Sequence, residues 1–196
     1  MITGRMTLLA AILAVVALAG LGPGARAHDA FAFSFDAIGG GTLPLERFRG
    51  KALLVVNTAS FCGFTRQYED LQAVWTAYRD RGLVVIGVPS NDFGGQEPGS
   101  EEEIKRFCEV TFGVDFPLSA KTGVAGSGAH PFFRWAAAEL GAAHKPRWNF
   151  HKYLVAPDGS LVTSFSTMIS PRAKAVSHAI ERHLPPAPDR PATPSD

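Results

Sequence analysis

Two cysteines are the residues of this chain best suited to chemistry. Cys62 lies in the segment 57–65, Asn-Thr-Ala-Ser-Phe-Cys-Gly-Phe-Thr, and no Cys-x-x-Cys pair is present. The missing pair argues against a dithiol oxidoreductase. A lone thiol can instead act as a nucleophile towards an oxidant and become a sulfenic acid. Position alone leaves a second interpretation open, in which Cys62 is a small buried residue at a strand end.

The composition narrows the classes of protein to be considered. The chain has 196 residues, of which 46% are hydrophobic, and a formal net charge of +1. This length suits one domain with a sizeable core. The near-neutral charge argues against a nucleic acid as partner. Two cysteines exclude a disulfide-rich scaffold and a four-cysteine zinc site.

The two ends of the chain differ in composition from its middle. Segment 1–27 has no acidic residue and only two basic ones, Arg5 and Arg26, on either side of an apolar stretch that ends before Gly-Pro-Gly and Ala-Arg-Ala. This pattern predicts a secretory signal peptide, cleavage after Ala27 and export to the periplasm. An uncleaved membrane anchor is the alternative. The proline-rich segment 185–196 is predicted to be a flexible tail.

The remaining residues, 28–184, are predicted to form one domain of strands and helices. Strands are expected at 31–35, 42–45, 52–57, 83–88, 150–155 and 160–165, and helices at 67–81, 101–112, from Phe132 onwards and at 171–184. A parallel strand–helix–strand unit joined to an antiparallel hairpin gives an α/β domain with a mixed central sheet flanked by helices, which fits a thioredoxin-like fold. Cys62 then follows the carboxyl end of a core strand, where open α/β sheets place reactive groups.

Three blocks of sequence resemble the glutathione peroxidase family in its cysteine-containing, non-selenium, bacterial form. The first is the Asn-x-Ala-Ser-x-Cys-Gly-Phe-Thr-x-Gln-Tyr segment that contains Cys62. The second, at 91–100, is Asn-Asp-Phe-Gly-Gly-Gln-Glu-Pro-Gly-Ser, and the third, at 148–155, is Trp-Asn-Phe-His-Lys-Tyr-Leu-Val. The blocks occur in order across nearly all of the middle region. Together they are far more specific than one short motif.

The resemblance implies a thiol-dependent peroxidase with a tetrad of Cys62, Gln96, Trp148 and Asn149. In that assignment the Cys62 thiolate attacks a peroxide oxygen and becomes a sulfenic acid. The Gln96 amide and the Trp148 indole supply N–H donors, and Asn149 adds a donor or orients a water. The substrates would be hydrogen peroxide or organic hydroperoxides, in defence against oxidative stress. No cofactor and no metal are implied.

Some positions depart from the family pattern. Phe61 stands where the family often has lysine, so a cation beside the nucleophile is lost. Asp92 stands where glutamine is usual. Neither change affects the four tetrad positions. Only about 17 residues separate His130 from Trp148, where tetrameric members carry a longer insertion, so a monomer or weak dimer is expected.

Cys108 is a candidate resolving cysteine. Many cysteine members of the family reduce the sulfenic acid through a second cysteine on the helix after the Gln-Glu-Pro-Gly block, and then use thioredoxin rather than glutathione. Cys108 lies on that helix, but one position, about 100° of rotation, from the plant-type location. It also shares the face of Ile104 and Phe107 that packs on the core. An inert buried thiol is therefore the competing interpretation, and either a thioredoxin-like protein or glutathione could be the reductant.

Two alternatives of other classes remain. One is a copper-binding periplasmic protein that uses Cys62 and histidines, although no histidine is near Cys62 in sequence and His130, His144, His151, His178 and His183 have the pattern of surface or helix-end residues. The other is a non-catalytic thioredoxin-fold thiol protein. A peroxiredoxin would need a Pro-x-x-x-Thr-x-x-Cys motif, which Cys62 lacks.

Overall fold

The computed structural model of the chain describes residues 29–185. The predicted signal peptide, its cleavage site and all but the first residue of the predicted tail lie outside these residues. The strands are β1 (Ser34–Asp36), β2 (Thr42–Pro44), β3 (Ala52–Thr58), β4 (Leu83–Pro89), β5 (Lys152–Val155) and β6 (Leu161–Phe165). The helices are α1 (Gln67–Tyr78), α2 (Glu101–Phe112), α3 (Pro131–Leu140) and α4 (Lys174–His183).

The central sheet has four strands in the order β4-β3-β5-β6. β3 pairs in parallel with β4, and β5 runs antiparallel to both β3 and β6. Every residue of β3 and β4 is buried, as their continuous apolar sequences predict for strands covered on both faces. This mixed sheet with flanking helices confirms the predicted thioredoxin-like class. β1 and β2 form a separate antiparallel pair.

Alternate residues of β3 point to two separate hydrophobic clusters. Leu54 and Val56 pack on one face with the buried sides of α1, α2 and α4. Leu53 and Val55 pack on the other face with α3 and the N-terminal strands. Both cysteines belong to the first cluster, so the chemistry predicted from the sequence lies on that face of the sheet.

Several boundaries differ from the sequence prediction for local reasons. A short 3-10 helix, Ala30–Ala32, occupies the start of the strand predicted at 31–35, because the Asp29 side chain accepts a hydrogen bond from Phe31 N. Phe150 was predicted to be in a strand, but its φ of 62° is left-handed and β5 begins at Lys152. A capping box, in which Ser100 and Glu103 bond reciprocally, starts α2. Within residues 29–185, no helix has both the length and the apolar character needed to cross a bilayer.

Candidate active site

Cys62 lies in a tight loop between the end of β3 and the start of α1. Thr65 closes this loop, because its Oγ1 accepts from Cys62 N at 3.0 Å and its backbone N–H donates to Cys62 O at 3.0 Å. The Thr65 hydroxyl also lies 2.8 Å from Cys62 O, as a donor. A loop bonded to itself in this way fixes the direction of the Cys62 side chain.

The Cys62 thiol is nearly covered, with 9% of the residue exposed. Its Sγ accepts from Phe64 N at 3.5 Å. A backbone N–H donor therefore lies within reach of the sulfur. The neighbouring Phe61 side chain is 69% exposed, so an apolar ring stands in solvent where the family often has a cation.

Gln96 and Asn149 lie in direct contact. Asn149 Nδ2 donates to Gln96 Oε1 at 2.9 Å, which leaves Gln96 Nε2 as the outward donor of that amide. The backbone joins this pair to the nucleophile loop, because Phe61 N donates to Gln96 O at 3.0 Å. The structure therefore brings together two predicted tetrad residues and ties both to the loop that carries the third.

Asn57, at the carboxyl end of β3, organises the segment that contains Trp148 and Asn149. Its Nδ2 donates to Trp148 O at 3.2 Å and its Oδ1 accepts from His151 N at 3.0 Å. Its backbone carbonyl accepts from Phe150 N at 2.6 Å. These bonds hold Phe150 in its left-handed conformation, which is costly for a residue with a Cβ and is often found at functional sites.

Trp148 is the most exposed of the four tetrad residues. The residue is 40% exposed, and its ring lies 6.0 Å from the ring of Phe93, centroid to centroid. Trp148 and Phe64 line a surface cavity of about 520 Å³. The same cavity is lined by Met168 and by the basic side chains His144, Lys145 and Arg147.

Further hydrogen bonds support Asn149 from the loop after β6. Thr167 Oγ1 donates to Asn149 O at 2.7 Å, and Gln67 Nε2 donates to Thr167 O at 2.7 Å. Lys152 holds the loop of Thr167, since its Nζ donates to Ile169 O at 2.5 Å. Burial lowers the pKa of Lys152 to about 7.

His151 corrects one expectation from the sequence. It was interpreted as a surface or helix-end residue, but it is 6% exposed. Its position two residues after Asn149 places it in the tightly bonded turn rather than on the outside of the sheet. Burial, together with the neighbouring charge of Lys152, lowers the pKa of His151 to about 4.

Cys108 lies in the interior of α2 and is fully buried. Burial raises the pKa of its thiol to about 11, although the neighbouring Tyr68 hydroxyl works in the opposite direction. Both cysteines are free in this structure. The packing face predicted from the sequence is therefore the one observed, and it shields Cys108 from solvent.

Sequence reasoning did not single out Asn57, Thr65 or Thr167 as parts of the site. Asn57 and Thr65 lie within the first sequence block, so their membership of that block was the available signal. Thr167 lies in no block, and only the fold shows its bond to Asn149. Asp92, a departure from the family pattern, accepts from Val124 N at 2.6 Å and joins two loops.

No group of three His, Cys, Asp or Glu side chains in residues 29–185 converges in a way that could hold a metal ion. Several of the described histidines make structural hydrogen bonds instead. His130, for example, caps α3 by accepting from Phe132 N at 3.2 Å. The part of the chain that the structure describes thus offers no support for the copper-binding alternative.

Comparison with known proteins identifies the family. The family model for glutathione peroxidase matches residues 30–137. A curated relative from Synechocystis sp., a hydroperoxy fatty acid reductase, is 46% identical over 149 residues, which cover 72% of this chain and 88% of that protein. The chain belongs to the glutathione peroxidase family.

Solved structures agree with this assignment. The apo crystal structure of Trgpx is 32% identical and has a TM-score of 0.63, with 80% of this chain and 97% of that chain covered. A thioredoxin family thiol:disulfide interchange protein from Chlorobium tepidum shares the fold at 19% identity and a TM-score of 0.59, covering 83% and 99%. The protein is therefore a thiol-dependent peroxidase with a thioredoxin-like fold.

Proposed function

We propose that Cys62 is the peroxidatic residue and that Gln96, Trp148 and Asn149 assist it. The Cys62 thiolate attacks one peroxide oxygen, the S–O bond forms and the O–O bond breaks. Sulfur is oxidised to the sulfenic acid, and the leaving oxygen takes a proton and departs as water or an alcohol. The contact between Gln96 and Asn149 beside the nucleophile loop is the observation that carries this assignment.

The donors suit a reaction in which negative charge moves from sulfur to oxygen. Because Asn149 occupies Gln96 Oε1, the Gln96 amide presents N–H groups rather than a carbonyl to the reacting atoms. The Trp148 indole adds an N–H that cannot accept a proton. Fixed donors of this kind stabilise the developing oxyanion without reorganising.

The cavity beside Trp148 supports an organic hydroperoxide with an acidic group as a substrate. Phe64 and Met168 provide apolar wall, and Lys145 and Arg147 provide positive charge. A carboxylate at the basic end would leave the apolar body of the substrate along the wall. The name of the Synechocystis relative, a hydroperoxy fatty acid reductase, supports the same class.

A thiol from outside the domain is proposed to reduce the sulfenic acid, either from a thioredoxin-like protein or from glutathione. A helix interior and full burial hold the Cys108 thiol in the core, so we expect that α2 must unwind locally before Cys108 can resolve Cys62. A disulfide requires Cα atoms within about 7 Å. We propose this opening as the condition for any Cys62–Cys108 linkage.

The proposed setting is the periplasm, with residues 28–184 as the exported domain and a monomer or weak dimer as the active form. The composition of segment 1–27 supports export. Outside the cytosol thiols are not kept reduced by default, so the enzyme would depend on a dedicated thiol donor there.

Steady-state peroxide reduction with glutathione and with a thioredoxin system, run side by side, tests the function. Wild-type protein should consume hydrogen peroxide or a fatty acid hydroperoxide with at least one donor, and Cys62→Ser should lose this activity. Protein with verified reduced thiols that turns over with neither donor would overturn the proposal. Size-exclusion chromatography of the same sample tests the oligomeric state.

A further inference from the structure

Lys152 is a buried cation that the proposed reaction leaves without a task. The residue is the first of β5 and is fully buried. It makes no salt bridge with any of residues 29–185. An ammonium group that is taken out of water without an anion beside it is costly. Its position three residues after Asn149 therefore calls for a reason.

The Lys152 ammonium group donates to both ends of one tight turn. Residues 166–169 form this turn, which Ile169 N closes by donating to Ser166 O at 3.1 Å. Lys152 Nζ donates to Ile169 O at 2.5 Å and to Ser166 O at 3.4 Å. The turn follows β6, so these bonds tie it to the neighbouring strand β5.

The large apolar side chains of the 166–169 turn do not hold it in place. Met168 is 75% exposed and Ile169 is 36% exposed. Besides the bonds from Lys152, the turn is anchored through Thr167, whose carbonyl oxygen accepts from Gln67 Nε2 at 2.7 Å. Polar bonds, rather than burial of these two side chains, therefore set the position of the turn.

One carboxylate, Asp70 of α1, is near enough for its charge to act on Lys152. Asp70 makes no ion pair with Nζ, and its Oδ2 accepts from Ser170 Oγ at 2.7 Å, one residue beyond the turn. His151 precedes Lys152 in the chain, and its pKa of about 4 keeps it neutral near neutral pH. The bonds of the Lys152 ammonium group therefore go to backbone carbonyl groups rather than to an anion.

The 166–169 turn reaches the tetrad through Thr167. Thr167 Oγ1 donates to Asn149 O at 2.7 Å, and this bond fixes the peptide group that follows the Asn149 side chain. That side chain is short, and its Nδ2 must meet Gln96 Oε1 at 2.9 Å. A small movement of the Asn149 backbone would therefore displace the donor pair beside the nucleophile loop.

We propose that Lys152 is a positioning residue for Asn149: its ammonium group fastens the 166–169 turn to β5, and Thr167 of that turn fixes the backbone of Asn149 opposite Gln96. The inference rests on the proposed role of Asn149 in the reaction. Because Lys152 is fully buried, it acts through the turn and not on the peroxide. A charged donor suits this task, since hydrogen bonds from an ammonium group are stronger than neutral ones.

Two substitutions remove the two links of this chain of bonds separately. Lys152→Met keeps an unbranched side chain but removes the N–H donors, and Thr167→Val keeps the shape of the side chain but removes the hydroxyl. The matched control is Val176→Ala, which removes buried methyl groups from α4 in the same hydrophobic cluster and lowers stability without removing a bond of the turn. Stopped-flow measurement gives the rate of the first turnover with hydrogen peroxide. Heteronuclear NMR of isotope-labelled protein follows the side-chain amide of Asn149, which is assigned by its absence in Asn149→Asp.

Lys152→Met and Thr167→Val should each slow the first turnover roughly five- to tenfold, because Asn149 is no longer held in place. Since the two links act in series, the double variant should be about as slow as the slower single variant. The Asn149 amide signals should shift or broaden in both single variants. In Val176→Ala the signals and the first-turnover rate should stay at their wild-type values.

Asn149 amide signals that keep their wild-type positions in Lys152→Met would overturn the inference. So would, in protein that consumes peroxide, an unchanged first-turnover rate in Lys152→Met or a double variant slowed by the product of the two single effects. Thermal melting checks that each variant is folded, and Lys152→Leu replaces Lys152→Met if that variant does not fold. The NMR signals need no peroxide, so a failure of the proposed peroxidase reaction would show separately, as amide signals that move in the variants while wild-type protein consumes no peroxide.

Discussion

Cys62 and Cys108 lie in the same hydrophobic cluster on one face of the sheet, the first in a loop and the second in the interior of α2. Around Cys62, the backbone N–H of Phe64 points at sulfur and an amide pair lies beside the loop. Around Cys108, burial raises the pKa of the thiol to about 11. Under the proposed assignment, loop geometry and nearby donors, rather than burial alone, separate the reactive thiol from the buried one.

The largest expected effect is a difference in reactivity between the two thiols of the native protein. At about pH 8, a thiol of pKa about 11 is ionised only to about one part in a thousand. Iodoacetamide should therefore modify Cys62 at least about a hundred times faster than Cys108, as measured by mass spectrometry of the two peptides.

Peroxide consumption by a Cys108 variant then tests whether the catalytic cycle uses Cys108. Cys108→Ala should keep peroxide consumption within about twofold when an excess of small thiol is supplied, since the first step uses only Cys62. Equal rates of iodoacetamide labelling for Cys62 and Cys108 would contradict the predicted difference in reactivity. A Cys62–Cys108 disulfide after one equivalent of peroxide would show instead that α2 opens during the cycle.

A second prediction concerns the donors that distinguish the Cys62 region. Trp148→Phe keeps an aromatic ring opposite Phe93 but removes the indole N–H. Loss of one preorganised donor should lower the rate of peroxide reduction roughly ten- to a hundredfold. Stopped-flow measurement of the first turnover isolates this step from reduction by thiols.

Trp135→Phe is the matched control for Trp148→Phe. Trp135 lies in α3 on the opposite face of the sheet, where its ring packs 5.4 Å from that of Phe33. It should leave the first-turnover rate unchanged. An equal loss in both variants would mean that the effect comes from packing rather than from the donor.

A third prediction uses pH to weaken the Cys62 region. The pKa of His151 is about 4 in the folded protein against about 6.5 when unfolded. Because the pKa is lower in the folded protein, protonation of His151 favours the unfolded state. The free energy of unfolding is therefore at its full value above about pH 6.5 and falls as the pH drops towards 4. The loss should reach about 3 kcal/mol in the free energy of unfolding.

His151→Gln should flatten the fall in stability between about pH 6.5 and about pH 4, as measured by urea denaturation at several pH values. The exposed His178→Gln is the control and should keep the wild-type slope. If both variants keep that slope, protonation of His151 does not limit the stability of the turn that carries Asn149.

Much of the fold was predictable from the sequence because its signals are local. The apolar runs of β3 and β4 and the Ser100–Glu103 capping box each depend on neighbouring residues, and each is observed. The left-handed Phe150 was not predictable, because its conformation depends on a bond to Asn57, far away in sequence. The wrong interpretation of His151 has the same cause.

The candidate site divides in the same way. The sequence blocks single out Cys62, Gln96, Trp148 and Asn149, but they do not reveal what supports them. Thr167 meets Asn149 only because the loop after β6 folds back onto the turn before β5. Glu97, the buried residue after Gln96, has no hydrogen-bond partner for its carboxyl oxygens among residues 29–185, and this too depends on three-dimensional packing. Long-range contacts of this kind have no local signature in one sequence.

The smallest expected effect concerns the surface cavity that is lined by Trp148 and Arg147. If Arg147 binds the acidic group of a substrate, Arg147→Ala should raise KM for a fatty acid hydroperoxide by roughly two- to fivefold, the value of one exposed charge pair. The kcat should change little, because Arg147 is remote from the breaking bond in this proposal. KM for an uncharged organic hydroperoxide should stay the same.

The salt dependence of KM separates charge from shape in this experiment. For wild type, KM for the fatty acid hydroperoxide should rise with ionic strength, since salt screens exposed charges, and this rise should be smaller in Arg147→Ala. Lys174→Ala, on α4 and outside the cavity, removes an exposed cation of the same sign and should leave both values unchanged. If Arg147→Ala raises KM equally for charged and uncharged peroxides, Arg147 shapes the cavity wall and does not select for the charge of the substrate.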